Sequence, residues 1–225
     1  MERENVDQYI IDELSITKEE IKNKTVIDVG CGGGWWSYGF AKRGCKVTPL
    51  GISDGPCNLT KKNVPQAEVI MSDLFELQEV SANRKFDIVW CWGGIHHTAY
   101  PRMACEILTT LMHQNSIIHL YVYSFNRGSK VKKLRKFLKI FSLKNRERII
   151  RLLSQTRIIH GSIHELYDAL STQINHEIDE ITLKQWFNEK DLSYNRYTPE
   201  WAKASKDLFV TGSSFLLKNN MKDSK

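Results

Sequence analysis

No stretch of the 225 residues approaches the roughly 18 consecutive apolar residues that a membrane span needs. The opening Met1-Glu2-Arg3-Glu4-Asn5 is charged and lacks the apolar region of a signal peptide. Cysteine is sparse: Cys31, Cys45, Cys57, Cys91 and Cys105 are scattered and odd in number, and none stands in a Cys-x-x-Cys pair. That spacing argues against a zinc cluster and against a disulfide framework, and it fits a reducing, cytoplasmic setting. Internal repeats and low-complexity tracts are absent too. What remains is a chain of 26.1 kDa, 41% hydrophobic, long enough for one domain with a subdomain.

Acid is missing from one region in particular. Between Arg127 and Arg151 stand eleven basic residues against a single acid, Glu147. The segment is therefore net +10 in a chain of net +6, and the remainder is net −4. Its basic residues interleave with Val131, Leu134, Phe137, Leu138 and Phe141 at helical spacing.

Glycine clusters at one place. The apolar Val26, Ile27 and Val29 run into Gly30-Cys31-Gly32-Gly33-Gly34, and a helical pattern follows through Tyr38, Phe40 and Ala41. This reads as strand, tight turn and helix, whose free N–H groups favour an anionic or polar ligand group. The dinucleotide pattern G-x-G-x-x-G fails here, because its third glycine falls on Trp35.

Around that loop the chain alternates. A leading helix over Arg3–Lys22 breaks near Ser15–Thr17, where Thr17 and Glu20 form a capping-box pattern. Strand two is expected at Lys46–Leu50, a helix around Asn58–Asn63, strand three at Glu68–Met71 and strand four at Lys85–Trp92. A helix over Arg102–His113 and strand five at Ser116–Tyr123 follow. Helical segments are then expected near Ser129–Phe141, Asn145–Ser154 and Ser162–Leu170, and another opens at Thr182. Strands at Leu192–Tyr197 and Leu208–Leu217 end the pattern, before a polar tail. The fold class is thus α/β: a doubly wound, Rossmann-like sheet of seven strands, with a helical insertion after strand five. The expected boundaries are a core over 1–123, the insertion over 124–191, final strands over 192–218 and a tail over 219–225.

Glycines at alternate positions, Gly30, Gly32 and Gly34, two residues after Asp28, resemble the first motif of class I S-adenosylmethionine-dependent methyltransferases. Phe86-Asp87-Ile88-Val89 followed by Gly94-Ile95-His96-His97 is similar to strand four of the small-molecule branch, which includes the quinone-biosynthesis methyltransferases. The resemblance implies a mostly parallel sheet with an antiparallel last strand, and S-adenosylmethionine as cofactor. It implies that Asp28, Gly30, Gly32 and Gly34 hold the methionine end, and that Asp73 accepts from the adenine amino group. One station departs. The family ends strand two with an acid that grips the ribose, and Gly51 stands there. Asp54, three residues on, is the alternative ribose partner; its other reading is a turn acid within Ser53-Asp54-Gly55-Pro56.

The implied function is methyl transfer to a small molecule by in-line displacement, with His97 as candidate general base and a structural histidine as the competing reading. The acceptor is expected to be anionic or amphipathic, and the insertion to cover it. The basic segment reads as a lid helix with a solvated basic face, as a surface for an anionic substrate or a membrane, or as a nucleic-acid site. The absence of an Asn/Asp-Pro-Pro-Tyr/Phe motif after strand four counts against a base-modifying enzyme. Two alternatives stand beside the main reading: a non-catalytic methyltransferase-fold scaffold, kept open by Gly51, and an RNA methyltransferase using residues 127–151. His160, His164 and Asp168, with Tyr167, share one helical face; we read it as solvated or substrate-lining, and expect no metal. Trp35, Trp36, Trp90 and Trp92 read as core aromatics near the cofactor.

Overall fold

The computed structural model describes residues 5–77, 83–123, 129–155, 166, 170–188, 192–197 and 212–219. Helix α1 (Val6–Leu14) and a short α2 (Lys18–Ile21) precede strand β1 (Thr25–Val29). Then come α3 (Trp35–Lys42), β2 (Lys46–Gly51), α4 (Asp54–Asn63), β3 (Ile70–Met71) and β4 (Phe86–Trp92). Helix α5 (Pro101–Thr110), β5 (Met112–Tyr123), α6 (Ser129–Leu138), α7 (Leu143–Gln155), α8 (Glu180–Asn188), β6 (Leu192–Tyr197) and β7 (Gly212–Asn219) complete the described elements.

The strands form one sheet in the order β3-β2-β1-β4-β5-β7-β6. All pairings from β3 through β5 are parallel, and β7 runs antiparallel to both β5 and β6. The last strand therefore reverses the direction of the rest. Strand β4 lies at the centre, and its near-continuous apolar run reflects burial on both faces. Ile27, Val89, Leu120 and Leu217 face the helices α5 and α8, where Leu108, Leu183 and Phe187 close the core. Val26, Ile88, Trp90 and Leu216 face α1 and α3 on the other side.

Helix α1 is locked onto α3. Asp7 accepts from Lys42 Nζ at 3.0 Å and pairs with Arg43 at 2.6 Å. A Cβ on Gly39 would stand 2.8 Å from Ile10, so the two helices approach at a residue without a side chain. Beneath α1, Glu13 meets His119 Nε2 at 2.8 Å, both buried, with the Trp90 ring stacked 3.9 Å from the imidazole. Trp92 extends the stack at 5.8 Å from Trp90, and Trp36 leans on Trp92 at 4.5 Å, tilted by 40°. The Thr17 capping box forms as the sequence implies, with both reciprocal bonds made.

Several expected boundaries move. Helix α4 begins at Asp54, four residues before its expected start, because Ser53 has extended backbone and Pro56 fits a first helical turn. Strand β3 is only Ile70–Met71, and pairs with Leu50 and Gly51 alone. Pro49 thus lies just before the β3 pairing, where its missing N–H is tolerated. Helix α5 stops at Thr110, and β5 starts at Met112 opposite Phe86, with a register shift before Ile88. The last strand is described as Gly212–Asn219, so Asn219 belongs to the sheet and not to the tail. Of the expected helix at Ser162–Leu170, only Leu166 and Leu170 are described, both buried against Leu138 and Ile150. His160, His164, Tyr167 and Asp168 lie outside the described residues.

Candidate active site

The carboxyl ends of β3, β2, β1 and β4 lie side by side, and the sequence candidates sit on the loops that leave them. Gly30, Gly32 and Gly34 have φ of +78°, +52° and +79°, a region L side chains rarely adopt. Gly30 and Cys31 donate to Leu50 O at 2.9 Å, tying the loop to the end of β2. At Gly34 there is no room: a Cβ would meet Thr60 at 2.9 Å, including its Cα at 3.0 Å. At Gly32 a Cβ would meet nothing within 4 Å, so the loop has a tight side toward α4 and an open side. Sequence reasoning passed over the residues on the tight side. Thr60 Oγ1 donates to Gly32 O at 2.9 Å and Asn63 Nδ2 to Gly33 O at 2.8 Å. Their three-residue spacing on one helix face was the available signal.

Asp28 is buried beneath the loop. Its carboxylate accepts the Ser37 hydroxyl at 2.5 Å. Burial pushes its pKa up to about 6, against the Ser37 hydroxyl and backbone N–H, which favour the charged form. Its described bonds thus brace the start of α3.

Gly51 has two sulfurs beside it. A Cβ there would stand 2.9 Å from Cys57 Sγ and 3.2 Å from Cys31 Sγ. Burial raises the Cys31 thiol to about 12, so this sulfur is uncharged at neutral pH. Ile52, 69% exposed, follows as an apolar residue on the cleft edge. Asp54 is exposed in the first turn of α4. Asp73 is half-buried, and its Oδ1 caps the short 3-10 turn Leu74–Glu76 by accepting from Phe75 N at 3.0 Å.

The turn after β4 completes the arrangement. Gly94 lies against the glycine loop: a Cβ on Gly30 would be 3.7 Å from Gly94 Cα, and one on Gly94 would be 3.4 Å from Val29 O. A 3-10 turn, Ile95–His97, follows. His97 Nδ1 donates to Ile174 O at 2.9 Å, since a carbonyl only accepts, so in the neutral form of the ring the lone pair falls on Nε2. His176 N donates to His96 O at 2.8 Å, and the His96 and His97 rings lie 4.1 Å apart, tilted by 53°. The later part of the insertion, at Ile174 and His176, is therefore fastened to the mouth of β4. A cleft of about 590 Å³ opens nearby, lined by Tyr100, Met103, Glu106, His176 and Trp186 among others, but the glycine loop takes no part in it. Among the described residues no cluster of His, Cys, Asp and Glu could hold a metal ion.

Doubly wound α/β proteins bind their ligands outside the carboxyl ends of the strands, which is where the glycine loop and the open space beside Gly32 lie. Residues 26–113 match a methyltransferase domain family. The chain is 26% identical over 184 residues to the ubiquinone biosynthesis O-methyltransferase of Acinetobacter baylyi, covering 80% of this chain and 69% of that one. It is 28% identical over 124 residues to the protein of the same name from Colwellia psychrerythraea, spanning about half of each (49%). Among solved structures, magnesium protoporphyrin IX methyltransferase from Synechocystis with bound SAH superposes with a TM-score of 0.60 at 15% identity, covering 96% of this chain and 82% of that one. PKMT2 from Rickettsia typhi in complex with AdoHcy gives 0.66 at 16% identity, with 96% and 53% covered. The chain is thus similar to S-adenosylmethionine-dependent methyltransferases, in sequence over residues 26–113 and in fold over nearly its whole length, and this supports S-adenosylmethionine as its cofactor.

The residues present fit that cofactor at two of three stations. The open side of Gly32 leaves space for the methionine end, and Asp73 has its Oδ2 without a hydrogen bond among the described residues. At the third, β2 ends in a glycine flanked by thiols and offers the ribose no carboxylate.

Proposed function

We propose that this enzyme transfers a methyl group to a small-molecule acceptor. The observation that carries the reading is the contact of Gly94 with the Gly30 loop, which sets the turn bearing His97 beside the cofactor loop. S-adenosylmethionine, when bound, supplies an electrophilic methyl on a sulfonium. Gly30, Gly32, Gly34 and the start of α3 hold the methionine end, with Asp28 bracing them through Ser37. Asp73 takes the adenine amino group on its second oxygen, and Asp54 is the ribose partner in place of Gly51. Alignment of acceptor and methyl supplies much of the rate. His97 removes the acceptor's proton at Nε2, its ring held by the Ile174 carbonyl. The stretch 124–191 covers the acceptor, fastened by the bonds from Ile174 and His176. A hydroxyl acceptor agrees with the names of the O-methyltransferase relatives. The five free cysteines agree with a reducing compartment.

Transfer of labelled methyl to a panel of phenolic and carboxylic acceptors tests the reading. His97→Ala lowers turnover at least about tenfold with cofactor affinity unchanged; an unchanged rate removes His97 as base. Gly51 favours a second reading, a scaffold that binds without catalysis. Tight cofactor binding with no transfer to any acceptor class supports it.

A further inference from the structure

We propose that the turn between α6 and α7 docks on an anionic lipid surface. Lys139 to Ser142 join the two helices, and the turn is ordered: Arg146 donates from Nε to Phe141 O at 2.9 Å and from its guanidinium to Lys139 O at 3.0 Å. The inner side of the pair has its own core of Leu138, Ile150, Leu166 and Leu170, with Leu134 and Ile149 against it. Arg135 pins α6 to Thr172 through the carbonyl at 2.7 Å and the hydroxyl at 2.8 Å. Phe137, Ile140 and Leu143 take no part in that core; they are 55%, 77% and 56% exposed. Three large apolar side chains thus crowd one turn. Exposed Lys133, Lys136, Lys139, Lys144 and Arg148 surround them. The only acid between Arg127 and Arg151, Glu147, pairs with Arg151 at 3.6 Å.

An apolar tip ringed by cations matches a bilayer interface of opposite charge: the apolar groups enter the acyl boundary while the lysines meet the headgroups. Nucleic acid fits less well. Phosphates satisfy the lysines but leave Ile140 and Leu143 in water, and stacking uses aromatic faces rather than aliphatic ones. No described helix is long and apolar enough to cross a membrane, so the contact is peripheral. The inference stands independently of the proposed reaction.

The test is co-sedimentation of the full chain with phosphatidylcholine vesicles and with vesicles half phosphatidylglycerol. Binding is expected to the anionic vesicles alone, weakening with salt. Lys136→Glu/Lys139→Glu/Lys144→Glu reduces it on the order of a hundredfold or more. Phe137→Ser/Ile140→Ser/Leu143→Ser, at unchanged charge, reduces it about tenfold or more. All six side chains are exposed, so thermal melting and cofactor affinity stay as in the parent and report that each variant is folded. Absence of sedimentation with anionic vesicles at low salt overturns the proposal. So does an apolar triple variant that binds vesicles as well as the parent, or tighter binding to single-stranded RNA that ignores the apolar substitutions. A dimer that the serine substitutions dissociate, in a chain that ignores vesicles, assigns the patch to a second copy and also overturns it.

Discussion

The two ends of β4 are built from opposite materials. At its start, Asp87 accepts from Thr25 N and Oγ1 at 2.8 Å each and from Lys24 Nζ at 3.2 Å, with His113 at 3.5 Å. Burial works to raise this carboxyl, but the Thr25 bonds and the Lys24 ammonium outweigh it and hold it below the usual range. At its other end stand Gly93, Gly94 and the glycine loop, with positive φ at Gly93, Gly30, Gly32 and Gly34 and open space beside Gly32. One end satisfies its polar groups internally and stabilises the sheet. The other leaves backbone donors and volume for a ligand. Conformational strain and glycine gather at the second end because binding needs the backbone itself to come close.

Substitutions at the two ends should therefore separate binding from stability. The largest effect is expected from Gly34→Val, which puts a branched side chain at φ +79° and against the Thr60 backbone. Cofactor affinity falls on the order of a hundredfold, as the loop shifts; calorimetry checks the affinity, and circular dichroism that the sheet persists. Next is Asp28→Asn. The folded-state pKa is about 6 against 3.8 in a free chain. The folded state thus holds the proton more tightly. Its contribution to stability is full below 3.8 and is lost as pH rises through 6. Relative to the Asn variant, the parent loses up to about 3 kcal/mol between pH 4 and 7, read from urea unfolding at several pH values.

Asp87→Ala, at the closed end, costs about 2 kcal/mol by stranding the Thr25 N–H, with cofactor affinity unmoved. Because the Asp87 pKa is lowered, that loss is present at neutral pH and shrinks as pH falls below the carboxylate range. The smallest effect sharpens the departure at β2. Gly51→Asp with Cys57→Ala removes the 2.9 Å sulfur contact and supplies a carboxylate. It should tighten cofactor binding about tenfold, and should exceed Gly51→Asp alone.

Much of this was legible in the chain. The apolar run of β4, the alternate glycines and the capping box at Thr17 are local patterns, and local patterns survive folding. Element ends that depend on neighbours were not. Strand β3 is short because only Leu50 and Gly51 face it, and β5 begins early because Phe86 pairs with Met112. Asp28 read as a cofactor ligand from its motif; its described bonds to Ser37 follow from how α3 leaves the loop. The Cys31 and Cys57 sulfurs at Gly51 come from two separate elements, so no spacing announced them. The support of the loop by Thr60 and Asn63 is equally a product of packing.

The most direct test is a calorimetric titration of the protein with S-adenosylhomocysteine, repeated with Asp73→Ala. Saturable binding in the micromolar range, weakened at least about tenfold by the substitution, is expected if the open end of the sheet holds the cofactor and Gly51 is tolerated. No binding up to millimolar ligand, or a parent and variant of equal affinity, would contradict that placement.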